Sequence, residues 1–292
     1  MSLDDGLGSN HILVSLHIKK PSGIKTKRSA SRELASQKNA NDKRVKVTVE
    51  TFKDGLSELE GHRQMTRSDF DRRSLNWGDD GKRLWHVPEW DKFRPKMEEY
   101  KAENYAHYKK FLRGYEEIKN DAQRPAPYGL GDLYDETDWK SVEWLESRWM
   151  FEWDICPVPR PESDVRSGWG PQHVERMKRE FEEQNQRKIV NAQKDVFGRL
   201  EGVLARYSKL DEYNGTAKGR FTDSIADNTR ELANILPGFN FNNDPEIEDI
   251  CARITRELCP IGAQTLRDSE SIRMKAKKTA DELRQRIGSF GK

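Results

Sequence analysis

Asp79 and Asp80 stand side by side between two glycines, within residues 75–90, which read LNWGDDGKRLWHVPEW. Carboxylate oxygens are the ligands that Mg²⁺ prefers, so the pair could belong to a divalent-metal enzyme. An Asp in a tight turn more commonly accepts a hydrogen bond from the backbone two residues further on. The chain contains no HExxH, GxGxxG or GxxxxGKS/T segment to support a catalytic interpretation. We therefore expect these aspartates to shape the backbone, and we expect no catalytic residue, metal or cofactor.

A second group of residues suits binding to a polyanion. Residues 19–46 contain ten Lys and Arg against two acids, a net charge of +8 in a chain whose total is +2. Ammonium and guanidinium groups displace the counterions of a phosphate backbone without reading its bases. A solvated loop that binds nothing is the alternative interpretation. The candidate phosphate-binding residues are Lys19, Lys20, Lys25, Lys27, Arg28, Arg32, Lys38, Lys43 and Arg44.

Aromatic residues are also unevenly distributed, since all eight tryptophans lie between Trp77 and Trp169. A base that stacks on an exposed ring gains about 1–3 kcal/mol, whatever its sequence. Most of these rings should nevertheless be buried, because they are the largest apolar side chains of the chain. The candidates for an exposed stacking surface are Trp85 and Trp90, with the flanking cations Lys82, Arg83, Lys92 and Arg94.

Alternating apolar residues predict the elements that carry the basic segment. Residues 11–18 and 45–52 are rich in β-branched residues and alternate with a period of two, as half-buried strands do. The simplest assembly is an N-terminal β-hairpin in which Pro21 to Arg44 form a long basic loop. A third alternating segment, residues 150–155, predicts another strand.

Apolar residues spaced by three and four predict that most of the remaining chain is helical. The predicted helices cover residues 52–73, 90–119, 138–149, 221–236, 271–287 and much of the chain from 171 onward. Asp244-Pro245 is a typical N-cap and first-turn pair for a further helix. The fold class is therefore mainly α with a small antiparallel β element, an α+β chain with an elongated helical body. Three regions are predicted: 1–73, 74–170 and 171–292.

Composition limits the class of protein. Hydrophobic residues make up 34% of the chain and charged residues 35%, so we expect many exposed helix faces. The three cysteines form no CxxC pair, and no signal peptide precedes them, which predicts free thiols in a reducing compartment. No apolar run approaches the roughly 20 residues that span a bilayer, so we expect no membrane association.

Five segments carry a family resemblance: HILVSLHIKKPSG, LNWGDDGKRLWHVPEWDKF, KMEEYKAENYAHYKKFL, LGDLYDETDWKSVEWLESRWMFEWDICPVP and FTDSIADNTRELANILPGFNFNNDPEIE. Together they cover most of the chain. They resemble a phage- and prophage-borne family of unknown function, and the composition is similar to that of early single-stranded-DNA-binding proteins of bacteriophages related to N4. The resemblance implies a homo-oligomer that coats single-stranded DNA, without a cofactor, in the host cytoplasm. It assigns no functional residue.

The leading hypothesis is a phage-encoded, sequence-non-specific single-stranded DNA-binding protein, not an enzyme, that supports phage transcription or replication. RNA is an open alternative ligand, and the expected protein partners are further copies of the chain and phage RNA polymerase or an ATPase. The second hypothesis is an oligomeric scaffold or adaptor, a partner of an ATPase, that binds no nucleic acid. A divalent-metal enzyme that uses Asp79 and Asp80 is the third.

Overall fold

A computed structural model describes residues 10–78, 80–125, 127–159, 171–210, 224–240 and 244–290. The chain is 68% helical with a small antiparallel sheet, which confirms the prediction of a mainly α chain with a small β element. Among the described residues, no helix has both the length and the apolar character needed to cross a bilayer.

The chain divides into two compact units, each built from separate stretches of sequence. The first unit comprises the described parts of Met1–Ser15, Phe70–Lys92 and Asp154–Lys292. The second unit comprises Leu16–Asp69 and Phe93–Trp153. The chain passes from one unit to the other within two of its strands and two of its helices.

The regular elements follow in chain order. The strands are β1 His11–Lys19, β2 Ile24–Lys27, β3 Val47–Glu50, β4 Leu75–Asn76, β5 Lys82–His86 and β6 Met150–Pro157. The α-helices are α1 Arg28–Gln37, α2 Ser57–Arg72, α3 Val87–Ala122, α4 Val142–Glu146, α5 Pro171–Ser208, α6 Ser224–Ile235, α7 Pro245–Arg253, α8 Ala263–Asp268 and α9 Glu270–Phe290.

The second unit has a core of aromatic and aliphatic side chains between α2, α3 and α4. Tyr108, Phe111 and Tyr115 of α3 pack with Phe52 and Leu145 in this core. Because these α3 residues recur every three or four positions, they lie on one face of the helix. The helix predicted over residues 90–119 is therefore confirmed.

The first unit has its own core, in which α5 packs against α9. Leu204 of α5 and Leu283 of α9 are both fully buried there. The predicted start of α7 is confirmed as well, because the Asp244 carboxylate accepts a hydrogen bond from the backbone N–H of Glu246 at 2.9 Å. Pro245 occupies the first turn, where its missing N–H costs nothing.

The predicted N-terminal hairpin has the right strands but the wrong pairing. β1 pairs antiparallel with β5, and the four-stranded sheet has the order β4-β5-β1-β6. Leu13 lies directly opposite Leu84, and both side chains are buried. Strand propensity does not specify a partner, because the partner is set by such cross-strand packing.

The segment predicted as a long basic loop instead contains β2 and α1. β2 pairs with β3 in a separate two-stranded sheet, with Thr26 opposite Thr48. The hydroxyl of Ser31 in α1 donates to the Lys27 carbonyl at 2.6 Å and accepts from the Val47 N–H at 2.9 Å. Only Ser31 and Ala35 of this helix are buried, so its apolar periodicity was too weak to predict it.

Residues 75–90, predicted as a loop, form the β4–β5 hairpin and the start of α3. Gly81 has a φ of 78°, a conformation that favours glycine at this turn. The Asp80 carboxylate accepts a hydrogen bond from the Lys82 N–H at 3.3 Å, which confirms its predicted role in shaping the turn. Asp79 lies outside the described residues.

Candidate nucleic-acid interface

A groove of about 600 Å³ in the second unit brings together charged and aromatic side chains. Its lining includes four cations, one carboxylate and one tryptophan, so its formal net charge is +3. We call it the Trp144 groove. These six side chains are Lys19, Lys20, Glu60, Arg63, Trp144 and Arg148.

The end of β1 places the two lysines of the Trp144 groove. Lys19 is the last residue of the strand and is exposed, whereas Lys20 is half-buried in the turn that follows. Gly23 completes this turn with a φ of 64°. A Cβ there would come within 2.7 Å of the Lys53 backbone nitrogen, so only glycine fits without displacing that segment.

The short helix α4 presents Trp144 to solvent. Ser141 caps the helix, and its hydroxyl accepts the Trp144 N–H at 3.3 Å. The adjacent Leu145 is fully buried, and the Tyr108 hydroxyl donates to its carbonyl at 2.5 Å. Because Leu145 packs into the core of the second unit, the neighbouring Trp144 faces outward and remains 38% exposed. The Arg148 guanidinium lies 4.8 Å from the centre of the indole ring, within cation–π range.

Glu60 of α2 lies among the cations of the Trp144 groove. Its carboxylate accepts hydrogen bonds from Arg63 Nη2 at 2.5 Å and Arg63 Nε at 3.1 Å. The Lys20 ammonium lies 3.2 Å from Oε2 of the same carboxylate. Hydrogen bonds from Arg63, supported by Lys20 and Gln64, lower the pKa of Glu60 to about 2. The carboxylate is therefore ionised at any ordinary pH.

Lys27, one of the predicted phosphate-binding residues, is held by two acids of its own unit. Its ammonium lies 2.6 Å from the Asp138 carboxylate and 3.3 Å from that of Asp135. The side chain is only 13% exposed. These contacts make Lys27 a structural ion-pair residue, contrary to the surface role predicted for it.

The other cations of the predicted basic segment lie away from the Trp144 groove lining. Lys25 is half-buried on β2. Arg94, which was predicted to flank the stacking rings, is exposed on α3 and also lies outside the groove lining. The exposed residues of α1 and of the turn after it are Arg28, Arg32, Lys38, Lys43 and Arg44. None of these residues lines the Trp144 groove, whereas Lys19 and Lys20 of the predicted set line it together with the exposed Trp144.

Trp85 and Trp90, predicted as exposed stacking rings, are buried in the first unit at 0% and 2% exposure. Their ring centroids are 5.2 Å apart, and Phe70 packs against both of them. The prediction of exposure is wrong because the apolar area of these rings is used in the core. Trp169, another member of the tryptophan-rich segment, lies outside the described residues.

Three of the four cations that flank these rings, Lys82, Arg83 and Lys92, make contacts within the first unit. Arg83 donates to the Asp71 carbonyl at 2.7 Å and to the Ser74 carbonyl at 2.9 Å. These bonds give hydrogen-bond donors to backbone carbonyls at the C-terminal end of α2 and just after it. The Lys82 ammonium lies 2.7 Å from the Asp80 carboxylate, and its hydrogen bond lowers the pKa of Asp80. Lys92 pairs with Glu89 at 2.7 Å.

The described residues also bear on the metal hypothesis. In the part of the chain that the structure covers, no group of three or more His, Cys, Asp or Glu side chains is placed to hold a metal ion. Asp80 is engaged by Lys82, as described above. Asp79 is outside the described residues, so the hypothesis of a site on this pair remains a prediction.

Sequence reasoning missed Arg63, Trp144 and Arg148. Trp144 and Arg148 are four residues apart, a spacing that places side chains together on a helical surface. Val142, Leu145 and Trp149 are spaced by three and four, and Trp144 does not share this spacing. The pattern therefore contained a signal that Trp144 is exposed. Arg63 carries no comparable signal, because its place beside Lys20 depends on the packing of α2.

Comparison with family models, with curated proteins and with solved structures found no match to this chain. The resemblance to a phage-borne family therefore remains a prediction.

Proposed function

We propose that this chain binds single-stranded DNA without sequence specificity, through the Trp144 groove. The observation that supports it is one exposed tryptophan among four cations in a single groove. An unpaired base could stack on the indole while the neighbouring phosphates contact the ammonium and guanidinium groups. A duplex cannot offer a free base face to the ring, which favours a single strand as the ligand.

Non-specific binding is the expected mode, because stacking accepts any base and phosphate contacts carry no sequence information. A 2′-hydroxyl is not excluded by either contact, so single-stranded RNA is a ligand to test beside DNA. The biological role included in the proposal is the one that the family resemblance implies: oligomeric coating of DNA in support of phage transcription or replication.

Fluorescence anisotropy with labelled oligonucleotides of mixed sequence, over a range of salt concentrations, tests the proposal. We expect micromolar or tighter binding of single strands, weaker binding of a duplex, and a steep loss of affinity as salt rises. Binding that ignores salt would contradict the proposal, as would the absence of binding at low salt. If light scattering then showed a large assembly, the scaffold hypothesis would be favoured.

Two matched double variants locate the site. Lys19→Gln with Arg148→Gln removes two cations from the Trp144 groove, whereas Lys38→Gln with Lys43→Gln removes two exposed cations outside it. We expect the first pair to weaken binding more strongly than the second, since only the first pair lies beside the stacking ring. Equal losses would assign binding to the charge of the whole segment instead of to the groove.

A further inference from the structure

We infer that Glu60 limits the affinity of the Trp144 groove, because its carboxylate occupies the positions that a DNA phosphate would take. This inference rests on the proposed function and concerns the same site. It identifies the residue that determines how tightly the groove holds an anionic ligand.

Arg63 contacts Glu60 through the edge of its guanidinium that would otherwise bind a phosphate. Nε and Nη2 form one edge of the guanidinium fork, the geometry that binds a phosphate or carboxylate through two parallel hydrogen bonds. Glu60 already accepts from both atoms, at 3.1 Å and 2.5 Å. A phosphate can form the same pair of bonds only after it displaces the carboxylate.

Lys20 is held by the same carboxylate, at 3.2 Å. Two of the four groove cations are therefore engaged by Glu60. Lys19 and Arg148 differ from them, because both side chains are exposed and Arg148 lies over the Trp144 ring. We expect the first phosphate contacts to form at Lys19 and Arg148, and contacts at Lys20 and Arg63 to require competition with Glu60.

Contacts within α2 keep the Glu60 carboxylate where it competes with a phosphate for Arg63 and Lys20. Arg63 follows it by three residues and Gln64 by four on α2, and Gln64 Nε2 donates to it at 3.1 Å. These contacts within one helix hold the carboxylate beside the groove. Because hydrogen bonds from Arg63 keep its pKa at about 2, it remains charged across the pH range of a binding assay.

Glu60→Gln is the decisive variant, since it removes the charge and retains the shape of the side chain. Removing one negative charge from the groove should raise affinity for an oligonucleotide by roughly three- to tenfold at moderate salt. The slope of log affinity against log salt should become steeper by about 0.7, because the net positive charge that the groove offers to single-strand phosphates rises by one.

Glu58→Gln is the matched control. Glu58 lies two positions earlier on α2, turned about 200° around the helix, and pairs with Lys110 at 2.6 Å outside the groove. It carries the same charge change, so an effect of overall charge would appear in both variants. Circular dichroism melting of each variant verifies that the fold is retained.

The outcomes separate the inference from the proposed function. Tighter binding and a steeper salt slope in Glu60→Gln, but not in Glu58→Gln, would support the inference. Unchanged or weaker binding in folded Glu60→Gln, while the wild type binds and Lys19→Gln with Arg148→Gln weakens it, would overturn the inference and leave the proposed function intact. Wild-type protein that binds no oligonucleotide would overturn both.

Discussion

Replacing Trp144 by alanine tests whether the groove stacks a base. The ring is 38% exposed, and part of its face is covered by Arg148 at 4.8 Å, so the surface open to a base is smaller than a whole indole. We therefore place the loss near the lower end of the range for base stacking, about 1–2 kcal/mol. This corresponds to a loss of affinity of roughly five- to thirtyfold.

The salt dependence distinguishes stacking from charge. Trp144→Ala changes no charge, so the slope of log affinity against log salt should equal that of the wild type. Trp144→Phe keeps a smaller aromatic face and should recover part of the lost affinity. Both quantities are read from anisotropy titrations at several salt concentrations. A loss smaller than twofold, or a flatter slope, would refute the stacking role.

Tyr105→Ala is the matched control for the loss of an exposed ring. Tyr105 is 43% exposed, and the Lys109 ammonium lies 5.7 Å from its ring centre, yet it does not line the Trp144 groove. We expect its loss to leave affinity within about twofold of the wild type, because no groove cation flanks it. A loss equal to that of Trp144→Ala would move the stacking site away from the groove.

Three further predictions concern stability. Lys27→Gln should lower the free energy of unfolding by about 1–3 kcal/mol in urea denaturation, because it leaves Asp138 and Asp135 without their ammonium. Arg28→Gln at the exposed neighbouring position should change it little, and equal effects would contradict this assignment. Asn104 is fully buried, accepts a hydrogen bond from Trp149 Nε1 at 2.9 Å and donates one to His62 Nδ1 at 3.3 Å. Asn104→Leu should therefore lower the free energy of unfolding by about 2–4 kcal/mol in the same assay. A decrease below about 1 kcal/mol would refute this prediction. Hydrogen bonds from Arg253 and Arg256 lower the pKa of Glu257 from 4.5 to about 2, so its contribution is present above pH 4.5 and is lost as pH falls towards 2. Glu257→Gln should therefore lose less stability over that interval than the wild type, and identical acid profiles would contradict the assignment.

The elements predicted best are those whose signals are local. The spacing of Tyr108, Leu112 and Tyr115 is enough to predict α3, because a 3.6-residue period makes one buried face. Asp244-Pro245 likewise specifies a helix start through its own side chain and backbone. Such features require no knowledge of what packs against them.

The predictions that failed depended on distant partners. β1 and β3 have strand sequences, but the partner of β1 is β5, about seventy positions further along. Trp85 and Trp90 have cationic neighbours in sequence, and a cationic neighbour says little about whether a ring is buried. Their exposure is decided by Phe70 and the packing around it.

The same dependence on partners determines how much of the basic segment can act on DNA. Its net charge of +8 counts Lys27, although Asp135 and Asp138 neutralise that ammonium. The Trp144 groove combines two lysines of the segment with two arginines from elsewhere and one carboxylate, a net charge of +3. If the groove is the site, the slope of log affinity against log salt should be about −2. If the whole segment binds, with Lys27 left out, the slope should approach about −5. The measured slope therefore decides between a charged segment and a built groove, which the count of lysines and arginines alone cannot do.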